Sequence, residues 1–84
     1  MRIKVKYMSI LKDYAKEDSK VIEFNINDIS LNKFIKKLFA LHPEFKEIEE
    51  QVGFIVLVND KIPRPNIKLK DGDEILLVPI ASGG

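Results

Sequence analysis

The chain of 84 residues contains no cysteine and no tryptophan, and His42 is its single histidine. Without cysteine it forms no disulfide bond, no thiolate metal site and no thiol nucleophile, so any thioester chemistry depends on another protein's groups. His42 precedes Pro43 at the end of a helical pattern, and we interpret it as a surface or helix-ending residue rather than a ligand or base. The sequence also lacks a nucleotide-binding loop, a catalytic triad and metal-ligand spacing. It therefore predicts a protein that is not an autonomous enzyme and that binds no metal and no cofactor.

Charge and hydropathy argue against two classes of partner. The formal net charge of +1 provides little bulk attraction to nucleic acid. No apolar run approaches the length of a membrane span, and residues 1–4 do not resemble a signal peptide. The apolar fraction of 45% and the charged fraction of 32% are typical of a globular domain. We therefore expect one cytoplasmic domain, with no nucleic-acid partner and no membrane partner.

The first half of the chain combines alternating and helical patterns. Two alternating stretches predict an antiparallel hairpin, and apolar residues spaced by three and four predict helices with one buried face. Ser30 is a candidate cap for the main helix, and Ile29 a candidate staple onto Phe34. The expected elements are strands at 2–8 and 20–26, a helical turn at 9–16 with Ile10, Leu11 and Tyr14 inward, a main helix with Leu31, Phe34, Ile35, Leu38 and Leu41 inward, and a short acidic helix at 44–52.

The second half contains two unbroken apolar runs, at residues 54–58 and 75–78, which are typical of strands covered on both faces. Prolines restrict residues 62–69 between them to a loop or an edge strand. The order hairpin, helix, strand, irregular edge and strand predicts an α+β fold of β-grasp type, a mixed sheet with the main helix on one face. We divide the chain into this domain, residues 1–80, and a flexible tail, residues 81–84.

The two apolar strands also predict an exposed surface. If Val56, Val58, Ile75 and Leu77 face the helix, then Leu57, Leu76 and Val78 face away from it, with Ile80 just beyond. Adjacent strands merge these side chains into an apolar patch, and such patches usually mark a partner surface. The alternative is that the second helix or the proline-containing loop covers them.

The C-terminal stretch has the composition of a turn, a strand and a bare tail. Asp71-Gly72 favours a tight turn, and the absence of an N–H on Pro79 should end the strand. Asp71, Asp73 and Glu74 lack the calcium-loop pattern, so a turn is preferred over a cation site.

Beyond Pro79, the segment Ala81, Ser82, Gly83 and Gly84 has almost nothing to bury and should be mobile. It is narrow enough to enter a channel closed to larger residues, and the carboxylate of Gly84 would be the group that an adenylating centre activates. A frayed chain end is the alternative.

These residues resemble a known ending. Leu69-Lys70-Asp71-Gly72-Asp73-Glu74-Ile75, followed by Pro79 and Ser82-Gly83-Gly84, is similar to the C-terminus of the ubiquitin-like sulfur carriers. The resemblance is strongest to the molybdopterin synthase small subunit (MoaD-like) and more distant to the thiazole-synthesis carriers (ThiS-like). Val56-Leu57-Val58-Asn59 and Leu41-His42-Pro43 also fit this pattern. Three departures are Ile80, where a second proline is usual, a missing glycine near Lys16, and a second helix that is only loosely comparable.

The resemblance implies a mechanism. A ubiquitin-activating-type adenylating enzyme would bind the apolar patch, accept the tail and adenylate Gly84 with ATP, and sulfur transfer would then leave a C-terminal thiocarboxylate. A molybdopterin synthase large subunit would accept the same tail and pass the sulfur to a pterin precursor. One alternative is a protein modifier joined through Gly84 to lysines of other proteins. Another is a non-covalent binding module, for which Gly84 would be dispensable.

Overall fold

The computed structural model describes residues 1–80. The expectations for Ala81, Ser82, Gly83 and Gly84, including a flexible tail, lie outside the described residues. The elements, in chain order, are β1 (Arg2–Tyr7), α1 (Ile10–Ala15), β2 (Ser19–Glu23), β3 (Asp28–Ser30), α2 (Leu31–Leu41), α3 (Glu44–Gln51), β4 (Phe54–Val58), β5 (Lys68–Lys70) and β6 (Glu74–Pro79).

Four strands form a mixed sheet in the order β2-β1-β6-β4. β1 pairs antiparallel with β2 and parallel with β6, and β6 pairs antiparallel with β4. The last strand therefore lies beside the first, and the predicted mixed α+β architecture of β-grasp type is confirmed. This arrangement makes β6, the strand that leads into the tail, a central strand of the sheet.

A second, two-stranded sheet precedes the main helix. Residues 28–30, which the sequence pattern assigned to a helix start, first pair antiparallel with β5. The helix then begins as predicted, with the Lys33 N–H donating to the Ser30 hydroxyl (3.3 Å) and the Leu31 N–H donating to the Ile67 carbonyl (2.8 Å). Because the loop before β5 supplies the Ile67 carbonyl that accepts this second bond, the proline-containing segment helps to orient the main helix on the sheet.

The core lies between the sheet and the helices. It is a single cluster of buried side chains from both layers: Ile3, Val5, Tyr7, Leu11, Ile29, Leu31, Phe34, Leu38, Phe45, Ile48, Val58, Leu69, Ile75 and Leu77. Three residues expected to face the core are instead exposed, namely Ile10, Tyr14 and Leu41. α1 is six residues long, so only Leu11 on it is buried, with Ala15 packed against the core. Leu41 lies in the last turn of α2, where the chain already turns towards α3.

α2 ends at His42, as predicted, where the backbone leaves helical geometry (φ −129°, ψ 76°) while its N–H makes the last helical bond, to the Leu38 carbonyl (2.9 Å). Its side chain is only 12% exposed, because the ring stacks on Phe45 with centroids 4.7 Å apart. The His42 Nε2 atom lies 3.2 Å from the Tyr7 hydroxyl. His42 is therefore a helix-ending residue, but its side chain lies at the edge of the aromatic core and not on the surface.

Tyr7 is fully buried on the helix-facing side of β1. Burial, with a smaller contribution from the Glu17 carboxylate, raises the pKa of Tyr7 from 10.0 to about 12. The buried phenol therefore stays neutral over the physiological range, as a core residue with one polar contact.

Candidate functional site: an apolar sheet face and the root of the tail

The face of the sheet opposite the helices carries a continuous apolar surface. On β6, Ile75 and Leu77 are buried towards the helices. Leu76 and Val78 alternate with them and point to the opposite face of the sheet. The β4 register places Leu57 directly opposite Leu76 and residue 55 opposite Val78. We call this surface the apolar patch, and it consists of Ile55, Leu57, Leu76, Val78 and Ile80.

Neither α3 nor the tip of the proline-containing loop packs over the patch. The short acidic helix, α3, buries Phe45 and Ile48 in the core on the opposite face. Ile62, at the tip of the proline-containing loop, is 84% exposed, so this side chain does not pack over the sheet. Ile55 and Ile80 remain 43% and 58% exposed. Leu57, Leu76 and Val78 therefore face away from the helices, as predicted, and are half-buried, while α3 and Ile62 of the loop do not lie over them.

Charged side chains border the patch along β1. Arg2, Lys4 and Lys6 alternate with the buried residues of this strand, and Lys6 lies opposite Leu76 in the register. Lys6 Nζ pairs with Glu74 Oε1 at 3.1 Å on the same face. An apolar centre with a charged rim is the usual anatomy of a protein–protein interface.

The turn before β6 is held by its acidic residues. Gly72 has φ +88°, and the Asp71 carboxylate accepts the Arg2 N–H at 2.7 Å. Asp73 accepts both the Lys70 N–H (2.8 Å) and the Asn59 amide (3.1 Å). These carboxylates therefore serve the turn, as predicted. Within residues 1–80, no group of three or more His, Cys, Asp or Glu side chains is placed to hold a metal ion.

The root of the tail lies at the edge of the patch. β6 ends at Pro79, as predicted, but the Ile80 N–H still donates to the Gly53 carbonyl at 3.0 Å. Successive N–H groups of a strand point to opposite sides, so the nitrogen of Pro79 faces β1 rather than β4. The missing N–H of Pro79 therefore ends the hydrogen bonding of β6 with β1. Hydrogen bonding on the β4 side continues for one more residue, Ile80.

The structure brings together all the partner-binding candidates in the described chain, namely Leu57, Leu76, Val78 and Ile80. Sequence reasoning missed Ile55, although it has the same strand parity as Leu57. It also missed Gly53, whose only signal was a glycine directly before a strand. Met8, one residue beyond β1, is exposed, and its N–H donates to the Leu77 carbonyl. None of the helices in residues 1–80 has the length and apolar character needed to cross a membrane.

Comparisons with known proteins agree with this geometry. A profile described as "ThiS family" matches residues 5–84. The molybdopterin synthase sulfur carrier subunit of Chlamydomonas reinhardtii is 29% identical over 86 residues, and the alignment covers 100% of both chains.

Solved structures share the fold over nearly the whole chain. A Pyrococcus furiosus protein assigned as molybdopterin converting factor subunit 1 superposes with a TM-score of 0.82 at 25% identity, covering 96% of this chain and 99% of the other. A Helicobacter pylori complex of subunits 1 and 2 of molybdopterin-converting factor gives a TM-score of 0.58 at 31% identity and full coverage of both chains. The small archaeal modifier protein 1 of Haloferax volcanii has the same fold, with a TM-score of 0.75 at 20% identity, covering 95% of this chain and 98% of that one.

The family profile covers almost the entire chain, and the β-grasp fold and the C-terminal sequence agree with it. The chain therefore belongs to the ThiS family, which confirms the resemblance to the ubiquitin-like sulfur carriers.

Proposed function

We propose that this protein is a sulfur carrier whose Gly84 carboxylate is adenylated and then converted to a thiocarboxylate by a partner enzyme. The observation that carries the proposal is the apolar patch, which runs along β4 and β6 and ends at Ile80, where residues 81–84 begin. In this role the chain is a carrier and not an enzyme. It binds no cofactor itself, and the activating partner consumes the ATP. We place the reaction in the cytoplasm, where ATP is available.

The energetics favour joint use of the patch and the tail. Ordering four residues in a partner's channel costs about 1–2 kcal/mol per residue, or roughly 4–8 kcal/mol. Full burial of an exposed Leu, Ile or Val side chain contributes about 1.5–3 kcal/mol. Leu57, Leu76 and Val78 are already partly buried, so each gains less than this. Contacts of several patch residues together are then needed to offset the ordering of the tail.

We further propose that the sulfur is delivered to molybdopterin synthesis. The relative from Chlamydomonas reinhardtii is named a molybdopterin synthase sulfur carrier subunit, and the Helicobacter pylori structure is a complex of subunits 1 and 2 of molybdopterin-converting factor. By analogy, a large subunit would bind the apolar patch and accept the thiocarboxylate in its own active site. Ala81, Ser82 and Gly83 would thread into the partner because their small side chains need little space.

The test is the intact mass of the protein after incubation with its adenylating enzyme, ATP and a sulfur donor. We expect a form that is heavier by the difference between sulfur and oxygen and that depends on both ATP and the enzyme. Removal of Gly84 should abolish this form while leaving the thermal unfolding curve unchanged, because the buried core is built from residues 3–77. A truncated protein that still gains sulfur would defeat the proposal.

A protein modifier is the second candidate, favoured by the shared fold of small archaeal modifier protein 1. Its activation would begin with the same adenylation of Gly84, but a lysine amine of a target protein would replace the sulfur. The discriminating observation is an isopeptide between Gly84 and lysine in digests of cell protein. Such peptides should be absent if the chain acts only as a sulfur carrier.

A further inference from the structure

Gly53 joins α3 to β4 and touches Ile80, the last residue before the tail. Its φ of +82° lies in the left-handed region that glycine adopts without strain. A Cβ atom built at this position would meet the side chain of Ile80, with the nearest atom, Cδ1, only 3.1 Å away. The Ile80 side chain therefore lies against the backbone of Gly53, and a Cβ there would require its Cδ1 atom to move by a few tenths of an ångström.

The same glycine also holds the backbone of Ile80. Its carbonyl accepts the Ile80 N–H at 3.0 Å, which is the bond that follows the last residue of β6. Two contacts, one from the side chain and one from the backbone, thus fix Ile80 against the α3–β4 junction.

The position of Ile80 matters because little chain follows it. Residues 81–84, even when fully extended, reach at most about 13–14 Å. A tail of this length, when extended in a partner's channel, has little slack, so a displacement of its starting point is passed on to the carboxylate of Gly84. Misplacement of reacting groups by about 1 Å can cost as much as a hundredfold in rate.

We propose that Gly53 is a positioning residue for the tail. Its carbonyl anchors the Ile80 N–H, and its missing side chain leaves room for Ile80, so that the two together set where and in which direction residues 81–84 leave the domain. This inference rests on the proposed activation of Gly84 and identifies a residue that acts on that reaction without touching the reacting atoms.

The experiment uses two glycines with similar positive φ angles. Gly72 has φ +88°, but a Cβ built there meets nothing within 4 Å. The variants Gly53→Ala and Gly72→Ala introduce similar backbone strain, and only the first presses on Ile80. The variants Gly53→Asn and Gly72→Asn introduce a larger side chain with less strain, because Asn tolerates the left-handed region better than Ala does. At each position, the asparagine variant therefore has the larger side chain and the alanine variant has the greater backbone strain.

The kinetic readout is ATP-dependent adenylation of Gly84, with kcat and KM for the carrier measured separately. We expect kcat to fall about threefold in Gly53→Ala and at least about tenfold in Gly53→Asn, with KM nearly unchanged because the rest of the patch is intact. Both Gly72 variants should keep the wild-type kcat. The melting temperature should drop more in the alanine variants than in the asparagine variants at both positions.

A rescue variant tests the contact itself. Ile80→Val removes Cδ1, the atom nearest to the added Cβ. We expect Gly53→Ala combined with Ile80→Val to recover the kcat of Ile80→Val alone. Hydrogen exchange of the Ile80 amide should show protection in the wild type, loss of protection in Gly53→Asn and recovery in the rescue variant.

Three results would overturn the positioning role: Gly53 variants that match the Gly72 variants in kcat, a rescue variant that stays slow, or an unprotected Ile80 amide in the wild type. If the wild-type chain is not adenylated at all, the proposed function fails and the positioning role fails with it. The exchange measurement still decides separately whether Ile80 is anchored to Gly53.

Discussion

The two faces of the four-stranded sheet are lined with similar aliphatic residues but meet different surroundings. On β6, Ile75 and Leu77 are fully buried under the helices, while Leu76 and Val78 point to the open side and keep part of their surface exposed. The helices of residues 1–80 cover one face of the sheet and leave the other open. The apolar run of β6 therefore serves two purposes, because alternate residues build the core and an exposed patch.

Adjacent leucines on β6 allow this difference to be measured with one chemical change. Leu77→Ala removes a fully buried side chain and should lower the free energy of unfolding by about 2–5 kcal/mol. Leu76→Ala removes the same atoms from the open face and should cost less than about 1 kcal/mol. Chemical denaturation monitored by circular dichroism gives both values on the same scale.

The two leucine variants are each other's control, since they share the strand, the residue type and the substitution. Equal losses of stability would contradict the assignment of faces. A larger loss for Leu76→Ala would mean that the sheet is turned over relative to the helices.

Alkaline titration sharpens the description of the helix-facing side. Tyr7 has a pKa of about 12 in the folded chain against 10.0 when unfolded, so the folded state holds the phenol proton more tightly. Its contribution to stability is therefore complete below pH 10 and is lost as the pH rises to 12, by at most about 3 kcal/mol. Melting temperature measured from pH 8 to pH 12 should fall more steeply than in Tyr7→Phe.

Tyr7→Phe is the matched control because it keeps the ring and removes only the hydroxyl beside His42. Its stability at neutral pH should be lower by about 0.5–1.5 kcal/mol, the usual net value of one hydrogen bond. Identical pH profiles for the two proteins would contradict a buried, neutral phenol.

Much of the architecture followed from local patterns. The alternation of residues 2–8 identified β1 with its inward Ile3, Val5 and Tyr7, and the apolar runs identified β4 and β6. Asp71-Gly72 marked a turn that the structure contains, with Gly72 at positive φ. These signals are readable because side-chain direction alternates along a strand and because few residues adopt such turns.

Other features depended on contacts between distant segments, which local patterns do not report. The pairing of β3 with β5 joins residues about forty positions apart in the sequence. Spacing placed Leu41 on the apolar face of α2, but the chain turns into α3 before that residue can be covered. The burial of His42 similarly depends on Phe45 and Tyr7, which reach it from another helix and a strand.

The candidate site divides in the same way. The outward direction of Leu57, Leu76 and Val78 followed from strand parity once one face was assigned to the helix. The role of Gly53 did not, because it arises where the end of β6 passes the start of β4. A glycine that is needed because a distant residue packs against its backbone has no periodic signal in the sequence.

The central claim is that the open sheet face and the Gly-Gly end act as one unit, and Leu76→Arg tests it most directly. Val21→Arg is the control, since Val21 lies on the same face, opposite Lys4 on the far side of the sheet. The measurement is kcat/KM for adenylation of Gly84 together with the melting temperature of each variant. We predict a loss of at least about tenfold for Leu76→Arg, a small change for Val21→Arg, and little loss of melting temperature in either. Wild-type adenylation of a folded Leu76→Arg carrier would contradict the account.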